Sequence, residues 1–249
     1  MQAPHSDGRF AGNRLIQAMG DDERARLTPY MEQVHVEPRQ TLSAAGEPIE
    51  HVYFPVDAVT STLMLLPEGE SVEVGLMGAE GVVGLALLYG DQIASTTVIV
   101  QIGGAAVRIR SEDLVREVVE RGTPFHRLLL RYANLFLAMV AQVAGCNASH
   151  SVEQRLARWL LLVHDRVGRD TFALTHEFAA LMLGVRRASV TQVANTLRTA
   201  GAIEYRSGQV TIVERAALEH ASCGCYEVIR DLSESIFDHA RRQRTPADF

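Results

Sequence analysis

Apolar positions change period three times along this chain, and each change marks a different kind of element. Leu15, Ile16 and Met19 share one helical face, and Asp21-Asp22-Glu23 are acids suited to a helix N-terminus, so residues 13–33 are expected to form short helices. From about 34 to 109 the runs VHVEP, TLSAAG, HVYFP, AVTSTLML, SVEVGLM and TTVIVQI are short, β-rich and separated by Gly, Pro and acidic turns. Closely spaced strands with no helices between them predict an antiparallel sandwich or roll of jelly-roll type, not a parallel sheet. Ser111 then opens a helical stretch with Glu112 and Asp113 in its first turn. After Gly122-Thr123-Pro124 a long helix should run to about Ala144. Leu128, Tyr132, Leu135, Met139 and Gln142 follow 4-3-4-3 spacing along it, with Phe125, Leu129, Phe136 and Val143 on an adjacent face. A helix apolar on two sides must bury against its own domain and against something else. The first set is therefore expected to form a dimer seam, with an internal core helix as the alternative. Gly145-Cys146-Asn147 interrupts the pattern and is read as a hinge. A further helix is expected over Ser151–Arg166, with Leu156, Trp159, Leu160 and Val163 inward.

The most informative stretch is THEFAALMLGVRRASVTQV, residues 175–193. Two short helices crossing steeply through a tight turn need a residue tolerant of positive φ at the turn, and Gly184 is there. Close crossing needs a small residue four positions earlier, which Ala180 supplies. Ala179, Leu183, Val185, Val190 and Val193 can fill the interior, and Thr175 can cap the first helix. The second helix, opened by Arg186 and Arg187, then presents Arg187, Ser189, Thr191 and Gln192 outward. Arg matches guanine bidentately, Gln matches adenine, and Ser or Thr reach phosphates or base edges in the major groove. Glu204-Tyr205-Arg206-Ser207-Gly208-Gln209-Val210-Thr211-Ile212 follows as a hairpin, a wing whose Arg206 can add backbone contacts. An ordinary helical hairpin is the competing reading of the spacing alone.

Charge sharpens this picture. Residues 1–146 hold 11 Arg against 18 Asp and Glu, and residues 147–249 hold 13 Arg against 12 acids, within a net charge of -6. Residues 184–211 carry Arg186, Arg187, Arg198 and Arg206 against Glu204 alone. A local basic face on an acidic protein fits a nucleic-acid reader. All 24 basic residues are arginine, which excludes P-loop, Schiff-base and Ser–Lys chemistry. No Ser/His/Asp or Cys/His arrangement stands out, so no catalytic residue is assigned and the chain is not expected to be an enzyme. No apolar run approaches the roughly 18 residues expected of a membrane span. The start MQAPHSDGRF lacks a signal-peptide core, and three cysteines are too few for a disulfide framework. A cytoplasmic protein with no membrane partner is expected.

Acidic β-roll, long apolar helix, hinge and winged helix-turn-helix, in that order, resemble the Crp/Fnr superfamily of bacterial transcription regulators over nearly the whole chain. The resemblance rests on HVYFPVDAVTS, EVGLMGAEGVVGLALLYG, VEQRLARWLL and LTHEFAALMLGVRRASVTQVANTL. It implies an α+β fold: a β-roll sensor like a cyclic-nucleotide-binding domain over 1–122, a dimerisation helix and hinge over 123–146, and a winged helix-turn-helix with an extra C-terminal helix over 147–249. It also implies a homodimer on double-stranded DNA with an inverted-repeat operator, and contact with RNA polymerase. Arg187 matches the recognition-helix arginine that reads guanine. Ala188 stands where cyclic-AMP-responsive members have glutamate, and Gln192 where they have a second base-reading arginine.

The sensor departs from that pattern. Leu85 falls at the ribose-binding glutamate and Ser95 at the phosphate-binding arginine, and no arginine lies between 40 and 107. Gly84, Leu85, Ser95 and Thr96 are therefore read as the pocket of an unidentified small-molecule or redox effector other than a cyclic nucleotide. The N-terminal cysteine cluster of the iron–sulfur members is missing too. His220, Cys223 and Cys225 could supply three metal ligands, completed by Cys146 or another His, but Cys-x-Cys alone predicts metal poorly. No metal or cofactor is assigned, and His35 and His51 are read as surface residues of the roll. Two alternatives are a cupin-like β-roll enzyme with an appended helical domain, and a degenerate sensor in a regulator controlled by its abundance.

Overall fold

Asn13 fastens the first helix to the roll. The computed structural model describes residues 10, 12–67 and 69–244, with side chains to residue 237. The stretch on which the signal-peptide reading rests, residues 1–9, lies outside the described residues. Asn13 is buried; its Oδ1 accepts from the backbone NH of Leu15 and Ile16, capping α1 (Arg14–Gln17), while its amide donates to the carbonyls of Pro55 and Gly81. Helix α2 (Asp21–Leu27) follows, with the predicted acids in its first turn.

The chain divides into two compact units, one of residues 1–60 and 77–132, the other of residues 61–76 and 133–249. In the first, β1 (Glu32–Val36), β2 (Thr41–Ser43), β3 (His51–Pro55), β6 (Thr97–Ile102) and β7 (Gly104–Arg110) build the roll. One sheet has the order β1-β7-β3, antiparallel throughout, with Glu32 opposite Arg108 and His51 opposite Arg110. Strand β2 pairs with β6 across a register shift. The central strand β7 carries little hydrophobic signal because it opens Gly-Ala-Ala. A Cβ on Gly104 would lie 2.3 Å from Asp57 Oδ1, so that smallness is a packing requirement. Helix α3 (Ser111–Leu114) continues as a π-helical turn over Val115–Val119.

The second unit takes most of β4 (Val59–Leu65) and β5 (Ser71–Met77), then the end of α4 (Pro124–Ser149), α5 (Val152–Val167), β8 (Thr171–Ala173), α6 (His176–Leu183), α7 (Arg187–Thr199), β9 (Ile203–Arg206), β10 (Gln209–Ile212), α8 (Arg215–Ala221) and α9 (Cys225–Arg244). Helix α5 is its spine, burying Leu156, Trp159, Leu160 and Val163 as predicted, and two arginines besides, Arg155 and Arg158. Trp159 Nε1 donates to Glu73 Oε1 at 3.0 Å and Ser61 donates to Oε2 at 2.6 Å. Burial pushes the Glu73 carboxyl up to about 7 against these bonds and the pull of Arg158 and Arg166.

Two expectations about the long helix are corrected. It does not stop at Gly145: α4 runs to Ser149, since one interior glycine costs only about 1 kcal/mol. The break falls where Ser151 caps α5 in a reciprocal capping box with Gln154. By length and composition α4 is also apolar enough to cross a membrane, contrary to expectation, although Phe125, Leu129, Phe136, Val143 and Cys146 are buried along it. Of the expected dimer seam, Leu128, Tyr132 and Met139 are buried within this chain, and Leu135 and Gln142 half-buried. The side left open carries Asn134, Leu137 and Ala141, with Leu137 66% exposed and Leu130 in part.

Candidate nucleic-acid interface

Thr175 begins the motif. Its backbone is extended and its hydroxyl accepts from Phe178 NH at 3.1 Å, capping α6. Gly184 ends α6 at φ 61, the left-handed conformation that the turn requires. Buried Arg155 reaches that turn from α5: its Nε donates to Asn147 Oδ1 at 3.0 Å and its guanidinium also donates to the Leu183 carbonyl. One of the orphan carbonyls at the end of α6 is thereby satisfied by a charged donor. Ala179, Ala180, Met182 and Leu183 of α6 face Val190, Ala194 and Leu197 of α7 in the interior. Val185 and Val193, expected inside, are only half-buried, and Ala194 takes the inward place.

Arg186 flanks α7 with extended backbone, and Arg187 is its first residue. Arg186, Arg187 and Gln192 are exposed, with Ser189 and Thr191 half-buried beside them. Thr191 is committed inside the motif. Its hydroxyl donates to the Arg187 carbonyl at 3.1 Å and lies 2.9 Å from His176 Nδ1, so its oxygen accepts a hydrogen bond from that ring N–H. Among the described residues the buried Nε2 of His176 has no partner. Burial, reinforced by the charge of Arg187, lowers the His176 pKa below its ordinary value and favours the neutral ring.

His176 also packs on Tyr205 with ring centroids 4.4 Å apart, and the Tyr205 hydroxyl donates to the Leu174 carbonyl. Burial pushes that phenol up to about 12, so it stays protonated as a donor. This His176–Thr191–Tyr205 link between α6, α7 and the wing was not anticipated from the sequence; the available signal was a histidine one residue after the cap. Strand β8 was also missed, being three residues long with Phe172 its one buried side chain. The wing is the sheet β8-β10-β9. Arg206 pairs with Gln209, and Ser207 (φ 52) and Gly208 (φ 75) between them form a two-residue hairpin turn with both residues left-handed. Arg206 stands exposed at the foot of that turn. Among the described residues no ion pair engages Arg186, Arg187 or Arg206, so all three guanidiniums are free for phosphate or base edges.

The expected effector residues are less convergent. Gly84, at φ 105, precedes a 3-10 turn over Leu85–Tyr89; Leu85 and Thr96 are half-buried and Ser95 is exposed. A cleft of about 560 Å³ in the same unit is lined by other residues, among them Glu50, His51, Gln92, Arg110, Glu112 and Glu120. His35 is exposed and His51 half-buried.

Residues 154–221 match the family model of the Crp-like helix-turn-helix domain. No curated protein sequence matches the chain significantly. Among solved structures, FixK2 from Bradyrhizobium japonicum is similar at 17% identity and a TM-score of 0.65, covering 78% of this chain and 98% of its own. A Crp/Fnr-family transcriptional regulator from Eubacterium rectale aligns at 16% identity and 0.64, covering 85% and 98%. The c-di-GMP-responsive global regulator CLP of Xanthomonas campestris aligns at 14% and 0.63, covering 78% and 100%. Residues 154–221 are thus a Crp-like helix-turn-helix domain, on a chain with the fold of the Crp/Fnr transcription regulators.

Proposed function

We propose that the protein is a sequence-specific DNA-binding transcription regulator that works as a homodimer on an inverted-repeat operator. The observation that carries this reading is the start of α7, where Arg186, Arg187 and Gln192 stand exposed beside the equally exposed Arg206 of the wing. In each half-site Arg187 reads guanine and Gln192 adenine, Ser189 contributes from the same face, and Arg186, Arg206 and the α6 N-terminus at Thr175 hold phosphates. Thr191 supports this surface by fixing α7 to α6. Two-fold symmetry is supplied by the open side of α4 around Leu137, and RNA polymerase is the downstream partner.

The signal in this proposal is not a cyclic nucleotide. No arginine lies between residues 40 and 107 to balance a buried phosphate, and Leu85 and Ser95 occupy the places where the family's ligand-binding residues fall. Sequencing of fragments bound from a genomic DNA pool tests the main claim: an enriched inverted repeat is expected, and its absence refutes it. Arg187→Ala should lower specific affinity by roughly 1–3 kcal/mol and relax one base per half-site. A loss uniform over all DNA would make Arg187 a phosphate contact instead. Cyclic AMP should leave the melting temperature unchanged.

A further inference from the structure

Three cysteines and one histidine, distant in sequence, converge in the second unit. Cys146 lies in the last turn of α4, and His150 follows four residues later, its NH bonded to the Cys146 carbonyl at 3.0 Å, which stacks the two side chains on one helical face. Cys223 precedes α9 and Cys225 is its first residue. Cys146 Sγ and Cys223 Sγ are 3.5 Å apart, Cys225 Sγ and His150 Nδ1 3.6 Å, and all four ligand atoms lie within 4.8 Å of one another. The three cysteines are buried and the histidine half-buried.

We propose that Cys146, His150, Cys223 and Cys225 form a tetrahedral site for one zinc-class divalent cation. The spacing selects the occupant. Four ligands about 2.0–2.3 Å from a single tetrahedral ion stand roughly 3.3–3.8 Å from one another, close to the separations here. A polynuclear iron–sulfur cluster would spread its ligands well beyond 4.8 Å, since they bind different irons. The donor set is borderline-soft, as zinc prefers, and four protein ligands leave no open position, which describes a structural site and not a catalytic one.

Charge supports the assignment. Three thiolates and a neutral imidazole around a dication carry a net charge of -1. Arg158, 3% exposed, and Arg155, 8% exposed, both act electrostatically on this cluster, and among the described residues Arg158 Nε has no hydrogen-bond partner. An anionic metal–thiolate centre gives these buried guanidiniums a counter-charge that three neutral thiols do not. Gln142 Nε2 donates to Cys225 Sγ at 3.1 Å, the kind of outer hydrogen bond that steadies a metal thiolate. The ion would tie the α4–α5 junction to the corner between α8 and α9. His220, considered from sequence as a ligand, is outside the cluster; the telling pattern is Cys-x3-His at the end of one helix and Cys-x-Cys at the start of another.

The test uses the full chain, purified reduced and without chelator. Elemental analysis should find about one zinc per protomer. Apo-protein titrated with cobalt(II) should develop tetrahedral thiolate–cobalt absorption saturating at one equivalent and reversed by zinc. H150Q, at a half-buried position that the fold should tolerate, is expected to weaken zinc binding by more than the roughly 10–100-fold typical of outer-shell changes. C225S should do the same, and H220A should leave binding unaltered. Circular dichroism of each variant separates loss of the ligand from loss of fold. Acid-labile sulfide with iron, a Cys146–Cys223 disulfide with no metal uptake by the reduced protein, or wild-type cobalt spectra from H150Q would each overturn the proposal.

Discussion

Glu73 offers a sharp test of the physical reasoning, because a buried carboxyl with neutral donors should make the second unit less stable as the pH rises. Its oxygens accept from Ser61 and Trp159, and its carboxyl sits near 7 when folded against an ordinary value of 4.5. Folding therefore favours the protonated form. That stability is fully present below about 4.5 and is lost as the pH rises through about 7. At roughly 1.4 kcal/mol for each pH unit between those two values, full ionisation costs the fold about 3 kcal/mol. Glu73→Gln is a neutral near-isostere whose carbonyl can keep the Trp159 bond while the Ser61 hydroxyl turns from donor to acceptor. The variant should match the wild type within about 1 kcal/mol at pH 5 and exceed it by about 3 kcal/mol at pH 9. Trp159 is the sole tryptophan, so urea unfolding followed by its fluorescence reports on the contact in question. Other titrating groups cancel in the difference between the two proteins. Parallel stability curves, or a variant weaker at every pH, would refute the argument and show Glu73 to be a carboxylate stabilised by Arg158 and Arg166.

Gly184→Ala forces a side chain into the left-handed region, with its Cβ 3.1 Å from Val72 Cγ2; denaturant unfolding should show a loss of about 1–2 kcal/mol. His176 is held neutral, so its contribution is present above about pH 6.5 and is lost as the pH falls through its lowered folded value. Wild-type melting should therefore fall more steeply than that of His176→Gln between pH 6.5 and 5, and equal slopes would reject the role. Leu137→Glu places a charge on the open side of α4. Sedimentation at micromolar concentration should then show monomers with unchanged circular dichroism, whereas an intact dimer would move the seam elsewhere.

The helix-turn-helix was legible because its constraints are local: a cap at Thr175, a left-handed turn at Gly184 and small residues at the crossing each leave a mark within one short window. The sheets were legible as a texture of short β runs, yet β7 escaped, since packing against Asp57 demands the Gly104 that opens its weak Gly-Ala-Ala start. The faces of α4 were legible only in part. Heptad spacing shows that two sides are apolar but not which one the chain covers itself; Tyr132 and Met139 are claimed by the chain, and Leu137 is not. The Cys146, His150, Cys223 and Cys225 cluster was only half visible, because proximity between residues so far apart along the chain is a property of the fold.

The free guanidiniums of Arg186, Arg187 and Arg206 have a kinetic meaning on a chain of net charge -6. At physiological ionic strength fields fade over about 8 Å. A DNA duplex meeting most of this surface would therefore be repelled, and on the proposed function only a duplex meeting the reading face would be drawn in. A homodimer would engage up to six such cations, each phosphate neutralised steepening the dependence of log K on log salt by about 0.9. In the proposed regulator the acidic body would make unproductive encounters brief while leaving the paired reading heads their grip, so selectivity would begin with the orientation of approach, before any base edge is touched.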